Sequence, residues 1–224
     1  MSVSIIIPTL NEESCLAATL AHLRAQRPRE IIVVDGGSDD ATCRLATAAD
    51  RLLTGPRGRA SQMNLGAAHA TGDNLLFLHA DCMLAPGALD EMEHWLRRPH
   101  VAAGCFTMRT QADGWPYRCI DACATARVRL TGLIYGDQGL FLRRLLFERL
   151  GGFPPVKFME DVVFSRTLRR CGRIVVARAL IHVSARRWQR IGLVRQTLRN
   201  WTLTALAAAG IPPDRLAAYY PVVR

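Results

Sequence analysis

The stretch Gly72 to Cys82, GDNLLFLHADC, constrains this chain more than any other. A Gly-Asp turn signal precedes four apolar residues, Leu75 to Leu78, that run without alternation. A short, continuous apolar run bounded by turn residues belongs to a strand covered on both faces, as in the interior of a parallel sheet. The run stops at His79-Ala80-Asp81, which puts a carboxylate at the carboxyl end of a central strand. In open α/β sheets the ligand crevice lies outside those strand ends. An acid there serves a site or caps the next helix, and Pro86-Gly87 marks that helix start several residues later. Asp81 is therefore the first candidate functional residue.

The rest of the chain supplies neighbours for that strand. Val3 to Ile7 predicts a first strand, with Pro8-Thr9 turning out of it. Asn11 is placed to cap a helix with Glu12 and Glu13 in its first turn, and Leu16, Leu20 and Leu23 repeat at helical spacing. Glu30 to Val34 is a second strand ending in Asp35; Gly36-Gly37-Ser38 follows, and Asp39-Asp40 opens a helix to about Ala49. Strand–helix–strand–helix with short joints predicts a parallel, doubly wound sheet. Further strands are expected at Arg51 to Leu53, Ala102 to Met108, Leu140 to Leu142 and Ile174 to Ala177. Helices are expected within Ser61 to Ala70, from Pro86 to Arg97, Tyr117 to Leu130, Arg144 to Leu150, Glu160 to Gly172 and Leu193 to Ala209. There is no internal repeat, linker or low-complexity stretch, so the whole chain reads as one domain.

At 224 residues the chain can bury a substantial core. No apolar run approaches the ~18–20 residues that cross a bilayer. The first residues, Met-Ser-Val-Ser-Ile, lack a basic region and a cleavage site, so no signal peptide is expected. The seven cysteines are scattered without a C-x-x-C pair, which argues against zinc and against a disulfide framework and points to a reducing, cytoplasmic location. The net charge of +10 comes from arginine, since Lys157 is the only lysine. Arginine's planar fork suits phosphate oxygens, although GC-rich coding also favours it. Such charge can attract nucleic acid, an anionic membrane surface or a phosphorylated small molecule.

Asp35, Asp81 and Pro8-Thr9 each terminate a predicted parallel strand, so three strand ends converge on one crevice. Aspartate is also common wherever strands simply turn. Several motifs in order add to this: SIIIPTLNE (4–12), VVDGGSDD (33–40), HAD (79–81), GDQG (136–139) and ED (160–161). Together they resemble family 2 glycosyltransferases of the GT-A type, over Val3 to about Trp188. The resemblance implies a GT-A-like, Rossmann-like α/β fold: a mostly parallel sheet flanked by helices. It implies a nucleotide-binding half at about 1–108, an acceptor half at about 109–190 and a C-terminal helical segment at about 191–224. More narrowly, residues 58–82 and SARRW (184–188) resemble the glycosyltransferases of arsenosugar biosynthesis, described as partners of radical-SAM proteins.

By that resemblance the donor, a nucleotide-diphosphate sugar that is UDP-linked, is held by Pro8, Thr9, Asn11, Glu12, Asp35, Gly37, Arg59 and Ala80. HAD occupies the position of the family's D-x-D metal motif, giving Asp81 and His79 to Mg²⁺ or Mn²⁺, and His182 lies where some relatives carry a last metal-binding histidine. A divalent cation stabilises a leaving diphosphate without proton transfer, and one protein carboxylate can suffice to hold it. His79 in place of an acid weakens Mg²⁺ binding and leaves Mn²⁺ open; packing at a strand end is its alternative reading. Asp161, with Glu160 beside it, is the candidate base for the acceptor hydroxyl, and the helix start is expected to hold it ionised; simple complementation of the helix dipole is the alternative. A single base favours inversion. Asp137 and Gln138 fall in the acceptor loop, and Arg187 and Trp188 match the end of the Q-x-x-R-W motif of some relatives, with Ser184 replacing the glutamine. For Arg186 and Arg190 a solvated basic face is the better reading.

Three other classes fit less well. A nucleotidyltransferase would carry a basic Gly-rich loop after the first strand, where this chain has acidic Leu10-Asn11-Glu12. A dinucleotide oxidoreductase would need the absent G-x-G-x-x-G. A nucleic-acid or membrane-surface binding module explains the arginines but not the acids at strand ends, so no nucleic-acid partner is expected. The acceptor is a small molecule or a lipid-linked one. The last helix, with Leu193, Leu198, Trp201, Leu203 and Leu206, can serve as core, as a homodimer contact or as a peripheral membrane contact.

Overall fold

Strands with a continuous apolar run must find cover on both faces, and the first, second and central strands carry such runs at Ile5–Ile7, Ile31–Val34 and Leu75–Phe77. In the computed structural model, which describes residues 2–208 and 210–219, they lie side by side in one eight-stranded sheet. The strands are β1 (Val3–Thr9), β2 (Glu30–Asp35), β3 (Arg51–Thr54), β4 (Asn74–Phe77), β5 (Cys82–Leu84), β6 (Val101–Gln111), β7 (Leu140–Arg143) and β8 (Arg173–Ser184). Their order is β3-β2-β1-β4-β7-β6-β8-β5. β3, β2, β1 and β4 are parallel, β7 runs against both β4 and β6, and β8 is parallel to β6. The carboxyl ends of β1, β4 and β8 therefore all face the same end of the sheet.

The helices are α1 (Leu16–Ala25), α2 (Thr42–Ala46), α3 (Arg59–Ala68), α4 (Ala88–Leu96), α5 (Trp115–Thr131), α6 (Arg144–Arg149), α7 (Glu160–Cys171), α8 (Arg186–Ile191), α9 (Leu193–Ala208) and α10 (Pro213–Leu216). Successive strand residues point to opposite faces, and this builds two cores. Ile5, Ile7, Val33, Leu76 and Leu78 pack with Leu16, Leu20 and Leu23 of α1 and Met92 and Leu96 of α4. Ile6, Ile32, Val34, Leu75 and Phe77 pack with Met63 and Ala67 of α3 and with Phe147, Phe153 and Phe164. A third, smaller cluster seats α9 on α7: Met159 and Val162 meet Leu203, Ala207 and Leu216.

The differences from the sequence expectations have local causes. α1 starts at Leu16, not near Asn11, because the 11–13 segment clasps the loop after β2. Asn11 is left-handed (φ 56°), its Oδ1 accepts the Asp39 N–H, and the Glu12 N–H donates to Thr42 Oγ1. β5 was not expected; it is only three residues long and pairs with the end of β8. β8 runs to Ser184 rather than Ala177, carried through a register shift against β6 by pairing on both sides. The last helix follows its expected span as far as Ala208; its expected end at Ala209, and residues 220–224 of the C-terminal segment, lie outside the described residues.

α3 crosses β1 and β2 closely because Gly66 has no side chain. A Cβ there would sit 2.5 Å from Ile6 Cγ2 and 3.1 Å from Val34 Cγ2. On an open helix, glycine to alanine stabilises by about 1 kcal/mol. Here Gly66→Ala is expected to reverse that sign and destabilise by about 1–3 kcal/mol through overpacking, read as a lower urea midpoint with an unchanged slope.

Candidate active site

The carboxyl ends of β1, β4 and β8 open onto a cavity of about 560 Å³, within the roughly 300–1,000 Å³ usual for small-molecule sites. β1 contributes Pro8 and Thr9, and Glu12 follows; β4 leads to His79, Ala80 and Asp81; β8 leads to Ser184 and then to Arg186, Arg187 and Trp188. Arg57, Gly58 and Arg59 bring the start of α3, whose N-terminal N–H groups and dipole favour anions. Tyr135, Gly136, Asp137 and Asp161 close a further wall, and Gln196, Asn200, Leu203 and Thr204 of α9 cover it.

Asp161 is buried at the first turn of α7. Its Oδ2 accepts the Gly136 N–H and its Oδ1 the Val162 N–H at 2.7 Å. Burial, with the charge of Glu160 adding to it, pushes Asp161 up to about 6, against the opposing pull of Arg59 and the two backbone N–H groups. The sequence expectation is that the helix dipole and local N–H groups hold this group ionised; the two N–H groups do pull in that direction, and burial works against them. Glu160 points away from the cavity wall and pairs with Arg59 at 3.7 Å.

Gly136 separates Asp161 from His79. A Cβ on it would stand 2.7 Å from His79 Nε2 and 3.2 Å from Asp161 Oδ2, so the two side chains face each other across a bare α-carbon. Burial and the nearby Arg59 push His79 down to about 4, which leaves the ring neutral at physiological pH and able to donate a lone pair. Burial also raises Asp137, with Arg127 opposing and Asp161 adding; its buried Oδ1 has no hydrogen-bond partner among the described residues.

Asp81 faces Arg186. The guanidinium lies 3.3 Å from Asp81 Oδ2 and 2.6 Å from Glu12 Oε2, bridging the loops after β1 and β4. Arg186 is thus part of the site and not of a solvated face, whereas Arg190 is exposed as expected. Ligand atoms of His79, Asp81 and Cys82 lie within 4.8 Å of one another. A half-buried carboxylate beside a neutral imidazole fits a divalent cation such as Mn²⁺, with Mg²⁺ less well served by the nitrogen. The Cys82 thiol is buried and held well above its ordinary value by that burial, so it is a poor ligand for either ion.

Of the residues predicted from sequence, Asn11, Asp35, Gly37, Gln138, Glu160 and His182 do not line the cavity. Asp35 is buried, and its Oδ2 accepts the N–H groups of Gly37 and Ser38. Burial opposes its charge, yet hydrogen bonds from Ser38 and Gly37 hold its carboxyl below the usual range. Gln138 is buried behind the wall, where Arg127 donates to its Oε1 and stacks on Tyr135. His182 lies within β8, paired with Met83 and Arg109.

Other lining residues carried no strong sequence signal. Gln62, buried in α3, donates to the carbonyls of Thr9 and Val34 and ties the ends of β1 and β2 together. Tyr135 shares a hydrogen bond of 2.6 Å with Thr204 and links the cavity wall to α9. Gln196, Asn200 and Thr204 recur every four residues and so share one helix face, and that periodicity was the available signal.

The raised Asp161 carboxyl has a consequence for stability with a definite sign. The folded state keeps this proton to a higher pH than the unfolded chain, so Asp161's contribution is most favourable below about pH 4 and is lost as pH rises through about 6. The unfolding free energy of the wild type, minus that of Asp161→Asn, is expected to fall between pH 4 and 6, by at most ~1.4 kcal/mol per pH unit. A difference that rises over this window would mean that the carboxyl is depressed instead.

The sequence profile of glycosyl transferase family 2 matches residues 4–147. An undecaprenyl-phosphate 4-deoxy-4-formamido-L-arabinose transferase of Sodalis glossinidius is 29% identical over 156 residues, covering 63% of this chain and 48% of that protein. The enzyme of the same name from Pectobacterium atrosepticum is 31% identical over 159 residues, covering 63% and 48%. The chain thus spans about half the length of the curated relatives it matches. The mannosyltransferase PcManGT of Pyrobaculum calidifontis, solved with GDP-Man and Mn²⁺, shares the fold with a TM-score of 0.70 at 24% identity, over 96% of this chain and 67% of that one. TarS of S. aureus in complex with UDP-GlcNAc aligns with a TM-score of 0.65 at 21% identity, over 82% of this chain and 58% of that one. With the profile covering more than half of its length and the GT-A-like fold beneath it, this chain belongs to glycosyl transferase family 2.

Proposed function

We propose that this chain transfers a sugar from a UDP-sugar to an acceptor hydroxyl, by direct displacement with inversion at the anomeric carbon. The observation that carries the reading is the gathering of Asp81, Asp161 and the basic side chains Arg57, Arg59, Arg186, Arg187 and Lys157 around one cavity. Asp161, poised at about 6, takes the acceptor proton. The acceptor oxygen bonds to the anomeric carbon, the bond from that carbon to the diphosphate oxygen breaks, and the nucleotide diphosphate leaves with the electron pair. Arg59, Arg187 and the start of α3 supply cationic and N–H partners for the diphosphate. Asp81 and neutral His79 would hold a divalent cation, which neutralises charge growing on the leaving group when bound. The unpartnered Asp137 Oδ1 and the indole of Trp188 are suited to a sugar's hydroxyls and ring face.

UDP rests on the motif resemblance and is the donor nucleotide named in the TarS complex. An acceptor on a lipid carrier is supported by the names of the curated relatives, and a small-molecule acceptor by the narrower resemblance of residues 58–82 and 184–188 to the arsenosugar subgroup. The cysteines of the described chain are free thiols, which supports a cytoplasmic setting.

Two measurements test this reading. UDP is expected to raise the melting temperature much more with Mn²⁺ than with a chelator, and Asp81→Ala is expected to abolish the difference. Equal stabilisation of both proteins by UDP and Mn²⁺ would remove Asp81 from the metal role. Asp161→Asn is expected to lower transfer, or slow UDP-sugar hydrolysis, by roughly 10²–10⁴-fold while UDP affinity changes little. The wild-type rate should climb with pH through about 6 and then level, since only the carboxylate accepts the proton. Near-normal turnover by Asp161→Asn overturns the base assignment.

A further inference from the structure

Helix α9 buries Leu203 and Ala207 but leaves a second apolar stripe uncovered. The side chains facing the molecule include Gln196, Asn200 and Thr204, which line the cavity. The side chains facing away include Val194, Leu198 and Trp201, exposed by 67%, 55% and 59%. These three fall at i, i+4 and i+7 and so form one stripe. A soluble helix ordinarily turns such a stripe inward, and a contiguous exposed apolar surface marks an interaction site.

The charge around the stripe names its partner. Residues 162–213 contain ten arginines and no aspartate or glutamate, while the other 19 basic and 19 acidic side chains of the chain cancel. Two of the ten, Arg186 and Arg187, line the cavity, and the charge bordering the stripe comes from others. Arg190 and Arg195 are exposed at the start of the stripe. At the other end exposed Arg166 of α7 donates to the Ala207 carbonyl at 3.3 Å.

We propose that the outer face of α9 docks in the interface of a bilayer that contains anionic lipids, with Val194, Leu198 and Trp201 entering the headgroup–acyl boundary and the flanking arginines on lipid phosphates. An apolar stripe bordered by arginines is the pattern of helices that lie in a membrane interface. Sixteen residues rise only about 24 Å, and no helix among the described residues is long and apolar enough to cross a membrane. A second copy of the chain is the poorer occupant, because a two-fold interface sets each patch against its own copy and would bring Arg190 and Arg195 against like charges. The inference does not rest on the transfer reaction; it rests on α9 alone. Its consequence for the site is that one helix would have the bilayer on one side and the cavity on the other.

The test is co-sedimentation of the full chain with phosphatidylcholine vesicles, with and without phosphatidylglycerol. Binding is expected only with the anionic lipid and should weaken as salt rises. The Leu198→Ser/Trp201→Ser double variant, altered only at exposed positions, is expected to lose about tenfold or more in apparent affinity. Each of Arg190→Gln and Arg195→Gln should lose about fivefold. Trp115→Ser, which removes a side chain 77% exposed on α5, should bind as wild type does. No sedimentation, equal sedimentation with neutral vesicles, or full binding by the double variant each overturns the proposal. If the double variant instead splits a dimer in sedimentation velocity and vesicles do not bind, the face belongs to a second copy and the proposal is also overturned. None of these readouts involves sugar transfer, so they stand or fall apart from the proposed activity.

Discussion

β4 is buried along its whole length and is also the strand at which the sheet changes sense, parallel to β1 on one side and antiparallel to β7 on the other. Both faces of the molecule are packed against it, so its polar continuation can only leave the core at its carboxyl end. There the chain meets β1 and β8 ending at the same level, and His79, Ala80 and Asp81 emerge into the cavity between them. The reversal at β7 has a second effect. It brings the loop before β7, with Tyr135, Gly136 and Asp137, back over the end of β4, where no purely parallel neighbour would deliver it. The site follows from how one apolar run is covered.

Gathering carboxylates beside a low-dielectric core raises an electrostatic difficulty, which the arginines resolve locally. Glu160 is matched by Arg59, and Glu12 and Asp81 share Arg186. Asp161 and Asp137 are the acids left with the weaker compensation, and both are raised, chiefly by burial. This division suits the proposed chemistry, because a carboxyl raised to about 6, as Asp161 is, is matched to accepting a proton near neutral pH. Arg186 is the versatile member. A phosphate offers its guanidinium the same planar acceptor pair as a carboxylate, so it can exchange partners without leaving the cavity.

Much of this was legible in the residues, because the strongest signals were short and local. Continuous apolar runs gave β1, β2 and β4, and the position of Asp81 just beyond β4 followed from where such a strand must stop. Glu160-Asp161 before an amphipathic stretch gave the start of α7, and Gly172 its end. What escaped was decided by partners distant in sequence. Asn11 looks like a helix cap, but its side chain is drawn to Asp39 across the loop after β2. Gln62 looks like a surface residue of an alanine-rich helix, yet it is buried by two carbonyl partners on β1 and β2. Arg186 was read as solvated because the two acids that hold it lie more than a hundred residues away. Asp161's raised pKa belongs to the same class: a helix start is visible in sequence, the depth of its burial is not.

α9 shows why helical periodicity has to be read for both stripes. A search for an apolar face finds Leu193, Leu198, Trp201, Leu203 and Leu206 and assigns them together, but these residues do not share one face. Leu203 packs inward beside Met159 and Val162, while Leu198 and Trp201 point outward. The polar residues discriminate better. Gln196, Asn200 and Thr204 keep a four-residue spacing, and buried polar groups need partners, which Tyr135 supplies for Thr204. Once that stripe is fixed as the inner one, the helix has no freedom left: Val194, Leu198 and Trp201 must face away. An outward apolar stripe with exposed Arg190 and Arg195 at its start is a physical statement about surroundings. A medium that is apolar at one depth and anionic at another suits both features, and a lipid interface has that profile.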